Sequence, residues 1–216
     1  MPVKPNREYR DMTIEVRTAE TEDDNRLMVR GYASTFNEPY TLAEDEEVRI
    51  DEVVDANAFD STDMSDVIMQ YDHQGRVFAR ISNGTLTVAP DEKGLLIEAD
   101  LGGTELGRQL YEEISGGYTN KMSFGFTVNG QERSRVKSDD GKVHVVRTIT
   151  SIGKLYDVSA VSIPANDATS ISVRSLHDGE IEAIQAERLE EEKRERNRRR
   201  IEVRAKALSI GGEKND

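Results

Sequence analysis

The spacing of apolar positions divides this chain into a long strand-like stretch and one clear internal helix. Residues 1–12 are polar and without pattern, and read as a flexible arm. "MTIEVRT" then alternates apolar and polar residues, a strand signal. The acidic cluster "EDDN" separates it from "RLMVRGYASTF", so an opening hairpin is predicted. "NEPYTLAEDEEVRI" reads as a polar excursion. "SDVIMQYDHQG" carries the apolar run Val67, Ile68 and Met69, with a glycine turn just past His73. Farther on, "RVFARISNGTLTVAPDEKGLLIEADL" holds three short strand-like runs, broken by the turn signals "NG" and "PDEKG". The period then lengthens. In "GGTELGRQLYEEISGG", Leu106, Leu110 and Ile114 recur every four residues, one stripe of a helix. Thr104 suits its N-cap, and Gly116 with Gly117 its end. "KMSFGFTVNG" and "KVHVVRTITSIGKLYDVSAVSIPAN" return to strands rich in β-branched residues. Many short strands spaced by turns predict an α+β fold dominated by β, a small closed or partly closed β-barrel with flanking helices.

Beyond Arg174 the pattern is one of charge. Asp178 to Glu192 holds seven acidic residues and one arginine, whereas Lys193 to Lys206 holds eight basic residues and two glutamates. Acid first and base last suits the helix dipole, so a long charged C-terminal helix is predicted. Ile181, Ile184 and Leu189 give it a short apolar edge, while "EEEKRERNRRR" is polar all round. Such a segment is a solvated helix or disordered tail, or else a docking element for a partner. The expected organisation is therefore an arm over 1–12, a main domain over 13–175 and a charged helical or disordered tail over 176–216.

Composition narrows the chemistry. Hydrophobic residues make up 36% of the 216 residues and charged residues 33%, which predicts a modest core with solvated ends. The formal net charge of −13 argues against binding to nucleic acid. Without an 18-residue apolar run or a signal peptide, a soluble intracellular protein is expected, with no membrane partner. Cysteine is absent, which excludes disulfides, thiolate metal sites and a cysteine nucleophile. The three histidines, His73, His144 and His177, lie far apart and do not support a helical zinc site; no metal and no cofactor is expected.

A serine nucleophile needs a base, an orienting group for that base, and open space for substrate. Ser123 lies in the strand-like "NKMSFGFTV", and Gly125, two residues on, shares its face. That glycine leaves room beside Ser123 for a substrate backbone. The spacing is not the G-x-S-x-G elbow of the α/β-hydrolases. His73, at the end of an apolar strand, is the best-placed base; its plain alternative is an ordinary turn histidine. Asp157 in "LYDVSAVSIPAN" is an acid within an apolar strand, where a buried carboxylate would need an imidazole partner. Taken one at a time, Ser123 also reads as an ordinary strand serine and Asp157 as a solvent-facing acid.

Taken together, "VRGYASTFNEPY", "DANAFD", "YDHQGRVFARISNGTLTV", "DEKGLLIEADLGGTELGRQLYEEISGGYTNKMSFGF" and "LYDVSAVSIPANDAT" resemble the prohead (capsid maturation) serine proteases of tailed phages, over about Val29 to Val173. The resemblance implies His73 as base, Ser123 as nucleophile and Asp157 as the acidic third member, where many relatives carry glutamate. That family is similar in fold to the herpesvirus capsid assembly proteases, which use a second histidine as third member; this keeps His144 as an alternative to Asp157. An extended substrate is expected along the strand edge at Phe124, Gly125 and Phe126. The implied substrates are the scaffolding segment of the major capsid protein and the protease itself. The implied location is the host cytoplasm, inside the viral prohead. A rival reading is a non-enzymatic scaffold or chaperone that keeps the protease fold, and a metal-dependent hydrolase is disfavoured by the scattered histidines.

Overall fold

The computed structural model describes residues 7–12, 17–18, 26–138, 142–161 and 171–212. The elements run β1 (Glu8–Met12), β2 (Arg17–Thr18), β3 (Met28–Thr35), β4 (Tyr40–Glu44), β5 (Val48–Val54), β6 (Ile68–Tyr71), β7 (Gln74–Arg80), β8 (Leu86–Pro90), β9 (Gly94–Asp100), α1 (Glu105–Ser115), β10 (Lys121–Lys137), β11 (Val143–Val161) and α2 (Ile171–Gly212). By its contacts the chain divides into Met1–Arg174 and Ser175–Asp216.

Within the first unit, the long antiparallel pair β10–β11 is the spine of a seven-stranded sheet ordered β1-β10-β11-β5-β4. Strand β11 serves two further partners in succession. Val143–Ile149 pairs parallel with β5, and Asp157–Ala160 pairs parallel with β6, which turns back as β7. A second sheet is ordered β2-β3-β9-β8, antiparallel throughout. The expected barrel does not close among the described residues. Closure requires pairing all the way round, but β11 forks between β5 and β6, and each sheet ends in edge strands.

Alternation explains how the sheets share one core. In β9, Leu95, Ile97 and Ala99 point inward while Leu96, Glu98 and Asp100 stay partly exposed. They join Val29 and Ala33 of β3 and Met69, Met122, Phe124, Phe126, Ile149 and Leu155 of the first sheet. Each of these side chains larger than alanine contributes roughly 1.5–3 kcal/mol by leaving water. Helix α1 begins as expected: the Thr104 hydroxyl accepts from the Gly107 N–H at 2.9 Å. Its buried stripe is Gly107, Leu110 and Ile114. Leu106 is 39% exposed, because Gly107 takes the inward position. A Cβ at Gly107 would lie 2.2 Å from the Leu101 carbonyl oxygen, so only glycine lets the helix sit this close.

Two segments differ from the sequence expectation. Residues 8–12, expected to be loose, form β1 against β10. The polar excursion after Thr35 forms the hairpin β4–β5. Of the opening hairpin, the described part is Arg17 and Thr18 paired with Arg30 and Val29. Taken by itself, α2 carries exposed ion pairs at helical spacing, Glu190–Lys193, Glu195–Arg199 and Arg198–Glu202, each a small contribution.

Candidate active site

Strand register brings the site together. Ser123 lies opposite Ser159, and Gly125 opposite Asp157, across β10 and β11. With a period of two, all four present one face. On the other side of β11, β6 runs past Asp157 to Ala160 and ends in a two-residue turn at Asp72 and His73. Both turn residues are left-handed, with φ of 47° and 56°. That is the primed hairpin turn, whose twist matches its strands. The chain reversal is thus made by Asp72 and His73 themselves, while Gly75 (φ 77°) follows within β7.

His73 bridges the other two candidates. Its Nε2 lies 2.5 Å from the Ser123 Oγ, and its Nδ1 contacts the Asp157 Oδ1. The Ser159 hydroxyl lies 3.0 Å from the same Asp157 oxygen and 3.2 Å from His73 Nδ1. Ser123, Asp157 and Ser159 have no exposure, and the His73 side chain is 16% exposed. A buried carboxylate requires partners for its charge. Asp157 has the imidazole and the Ser159 hydroxyl on one oxygen, and an ion pair with Arg7 on the other. The Arg7 guanidinium lies over the Tyr156 ring, 4.3 Å from its centroid, and burial lowers its pKa. The Tyr9 ring meets the His73 ring edge-on, centroids 4.4 Å apart. Gly125 makes this crowding possible. A Cβ there would lie 2.6 Å from Asp157 Oδ2 and 2.8 Å from Tyr9 Cε1.

The opposite face of β1 and β10 holds a second buried charge cluster. Arg10 Nε donates to Glu52 Oε1 at 2.5 Å and Arg147 Nη1 to Glu52 Oε2 at 2.6 Å. The Tyr40 hydroxyl donates to Glu52 as well, and Glu8 pairs with both arginines. Burial alone would raise the Glu8 carboxyl, but hydrogen bonds from Arg147 and the charges of Arg10 and Arg147 bring it down to about 2. Burial and the Glu52 charge push the Tyr40 phenol well up.

The remaining sequence candidates lie elsewhere. His144, on β11 opposite Val136 and Arg49, binds Asp51 Oδ2 through Nε2 at 2.8 Å, and is not brought to Ser123. Phe124 and Phe126 are fully buried and stacked at 4.5 Å, so they offer an extended peptide only their backbone. His177 lies in the sequence of α2. Residues passed over in the sequence are Ser159, Arg7 and Tyr9. Ser159 was signalled by its spacing two residues after Asp157; the arm carried no local signal. Among the described residues, no group of three or more histidine and acidic side chains could hold a metal ion. No described helix is long and apolar enough to cross a membrane.

The arrangement can move a proton. An imidazole placed between a hydroxyl and a carboxylate can accept from the first while the second stabilises the resulting cation. The sequence profile of the Caudovirus prohead serine proteases matches residues 12–184. Comparisons with curated proteins and with solved structures give no match.

Proposed function

The chain belongs to the Caudovirus prohead serine proteases, and from that premise we propose that it is an endopeptidase that cuts the scaffolding segment of the major capsid protein, and itself, inside the immature head. A serine-protease role in capsid maturation comes with the family; the substrates and the residue roles are our reading. Its principal support is the contact of one imidazole with both a buried serine and a buried aspartate. Ser123 Oγ attacks the peptide carbonyl carbon as His73 Nε2 takes its proton. Asp157, bound to Nδ1, holds the ring in the tautomer that leaves Nε2 free to accept, then stabilises the imidazolium. The C–N bond breaks as His73 returns the proton to the leaving amine. Water then attacks the acyl-enzyme with His73 again as base, restoring Ser123. Ser159 is a positioning residue, since its hydroxyl fixes the Asp157 carboxylate.

Expression of the full chain with its capsid protein tests this reading. The parent is expected to trim both polypeptides on a gel, and Ser123→Ala to trim neither. Equal processing by the two would remove Ser123 from the chemistry and leave an assembly scaffold as the better description.

A further inference from the structure

We propose that Arg7–Met12 is a pseudosubstrate: it lies along the β10 edge as a substrate strand would, and its Arg10 side chain marks a subsite, built on Glu52, that takes a basic side chain. The inference rests on the protease reading and adds to it a substrate class and a resting state.

Among the described residues, strand β1 is the terminal strand of its sheet, and it is five residues long. Without it, β10 from Met122 to Phe126 would be a bare edge, the surface to which extended peptides add. The register lays the arm over the nucleophile, with Tyr9 opposite Gly125, Arg10 opposite Phe124 and Asp11 opposite Ser123. A main-chain carbonyl therefore reaches the serine. The Arg10 oxygen accepts from the Ser123 hydroxyl at 2.9 Å. That hydroxyl has one proton and two acceptors, since His73 Nε2 lies 2.5 Å away. A hydroxyl that donates to a carbonyl oxygen faces the oxygen, not the electrophilic carbon, so the arm is held in an unreactive pose.

The arm engages every member of the site. Arg7 pairs with Asp157, the charge that would otherwise stabilise the imidazolium. Tyr9 covers the His73 ring. On the other face, the buried Arg10 guanidinium enters a pocket formed by Glu52, Tyr40, Arg147 and the Phe126 ring, 5.6 Å from its centroid. A permanent structural strand could also be buried this way, but the charges favour an exchangeable one. To the Glu52 cluster the arm supplies one arginine and one glutamate, Arg10 and Glu8. Its departure would leave Glu52 paired with Arg147 at 2.6 Å, and Asp157 bound to the His73 imidazole and the Ser159 hydroxyl, so each buried carboxylate keeps a partner. A substrate strand bearing arginine or lysine would restore what Arg10 provides.

Peptide binding tests the proposal without requiring catalysis. The probe is a fluorescent six-residue peptide copying Arg7–Met12, and the receptor is the full chain carrying Ser123→Ala. The tethered arm competes at an effective concentration of about millimolar. Weakening it with Arg10→Glu, or with Arg7→Ala and Tyr9→Ala together, should tighten peptide binding at least tenfold by fluorescence anisotropy. The same peptide carrying Arg10→Ala should bind at least tenfold more weakly. Equal affinity of folded parent and variant chains, or equal affinity for the two peptides, would overturn the proposal. Loss of fold in both variants would also overturn it, by making β1 an integral strand. Labelling of Ser123 by a fluorophosphonate, in chains that keep the serine, separates the two readings. Faster labelling on weakening the arm supports both. No labelling of any chain, with peptide binding as expected, sinks the serine chemistry and leaves the strand site standing.

Discussion

Two histidine–aspartate pairs lie on the same sheet, and one of them is brought to Ser123. Both carboxylates are buried: Asp157 has no exposure and Asp51 has 3%. The difference is in which ring nitrogen the acid takes. Asp157 holds His73 by Nδ1, so the outer nitrogen is left to reach Ser123. Asp51 holds His144 by Nε2, and the register places that ring opposite Val136, away from Ser123. The second carboxylate is also shared with Thr41 at 2.8 Å and Arg49 at 3.0 Å, an arrangement that ties β4 to β5. A histidine beside an acid is therefore poor evidence of chemistry until the free nitrogen and what it faces are known.

The comparison is broken most severely at the imidazoles. His73→Ala should lower peptide cleavage or fluorophosphonate labelling by about 10⁴-fold or more, and His144→Ala should leave either within about twofold. Comparable losses from the two substitutions would erase the distinction. A smaller effect is expected at Gly125. Its alanine Cβ would press on the Asp157 carboxylate and the Tyr9 ring, and a displacement near 1 Å in such a site costs about 10²-fold in rate. Gly125→Ala with parental kcat/KM would mean that the Asp157 position matters little. The mildest prediction concerns Asp51 and sharpens the contrast. Burial raises its pKa, but hydrogen bonds from Arg49, Thr41 and His144 outweigh burial and hold it below its ordinary 3.8. A depressed carboxyl stabilises the fold above its ordinary pKa and loses that contribution as pH falls below it. Asp51→Asn should thus lower Tm by roughly 2–4 °C at pH 7. The gap to the parent should close as the pH falls through about 3.8, with activity near pH 7 unchanged. A Tm difference that grew on acidification would show that the interactions at Asp51 had been misjudged.

How far each element was legible follows from where its partners lie. Helix α1 could be read because its cap and stripe are local, although Gly107 displaced Leu106 from the buried face. His73, Ser123 and Asp157 are candidates on local grounds, each with a plain alternative, and the resemblance of the surrounding blocks to the prohead proteases joins them; their side chains meet in the fold. Strand β5 could not be read. Its first residues close the stretch that reads as a polar excursion, yet Asp51 and Glu52, which follow them, are buried. Glu52 is matched by Arg10 and Arg147, which are remote in sequence. The arm failed for the same reason: its burial depends on charges contributed by β5 and β11, and pairing of that kind leaves no periodicity behind. Of the closed or partly closed barrel that was expected, the closed form is not found among the described residues, because nothing in the hydrophobic pattern reports that β11 changes neighbours midway.

The tight turn at Asp72 and His73 binds the proposed catalysis to chain reversal in one residue. A β-branched or bulky side chain at position 73 would strain a left-handed backbone before any question of proton transfer arose. The imidazole is also carried on the tip of the β6–β7 hairpin, so a single inserted residue there would swing it away from both of its partners. A change in the length of this loop would therefore misplace the imidazole, and the proposed proton shuttle inherits its aim from a backbone angle.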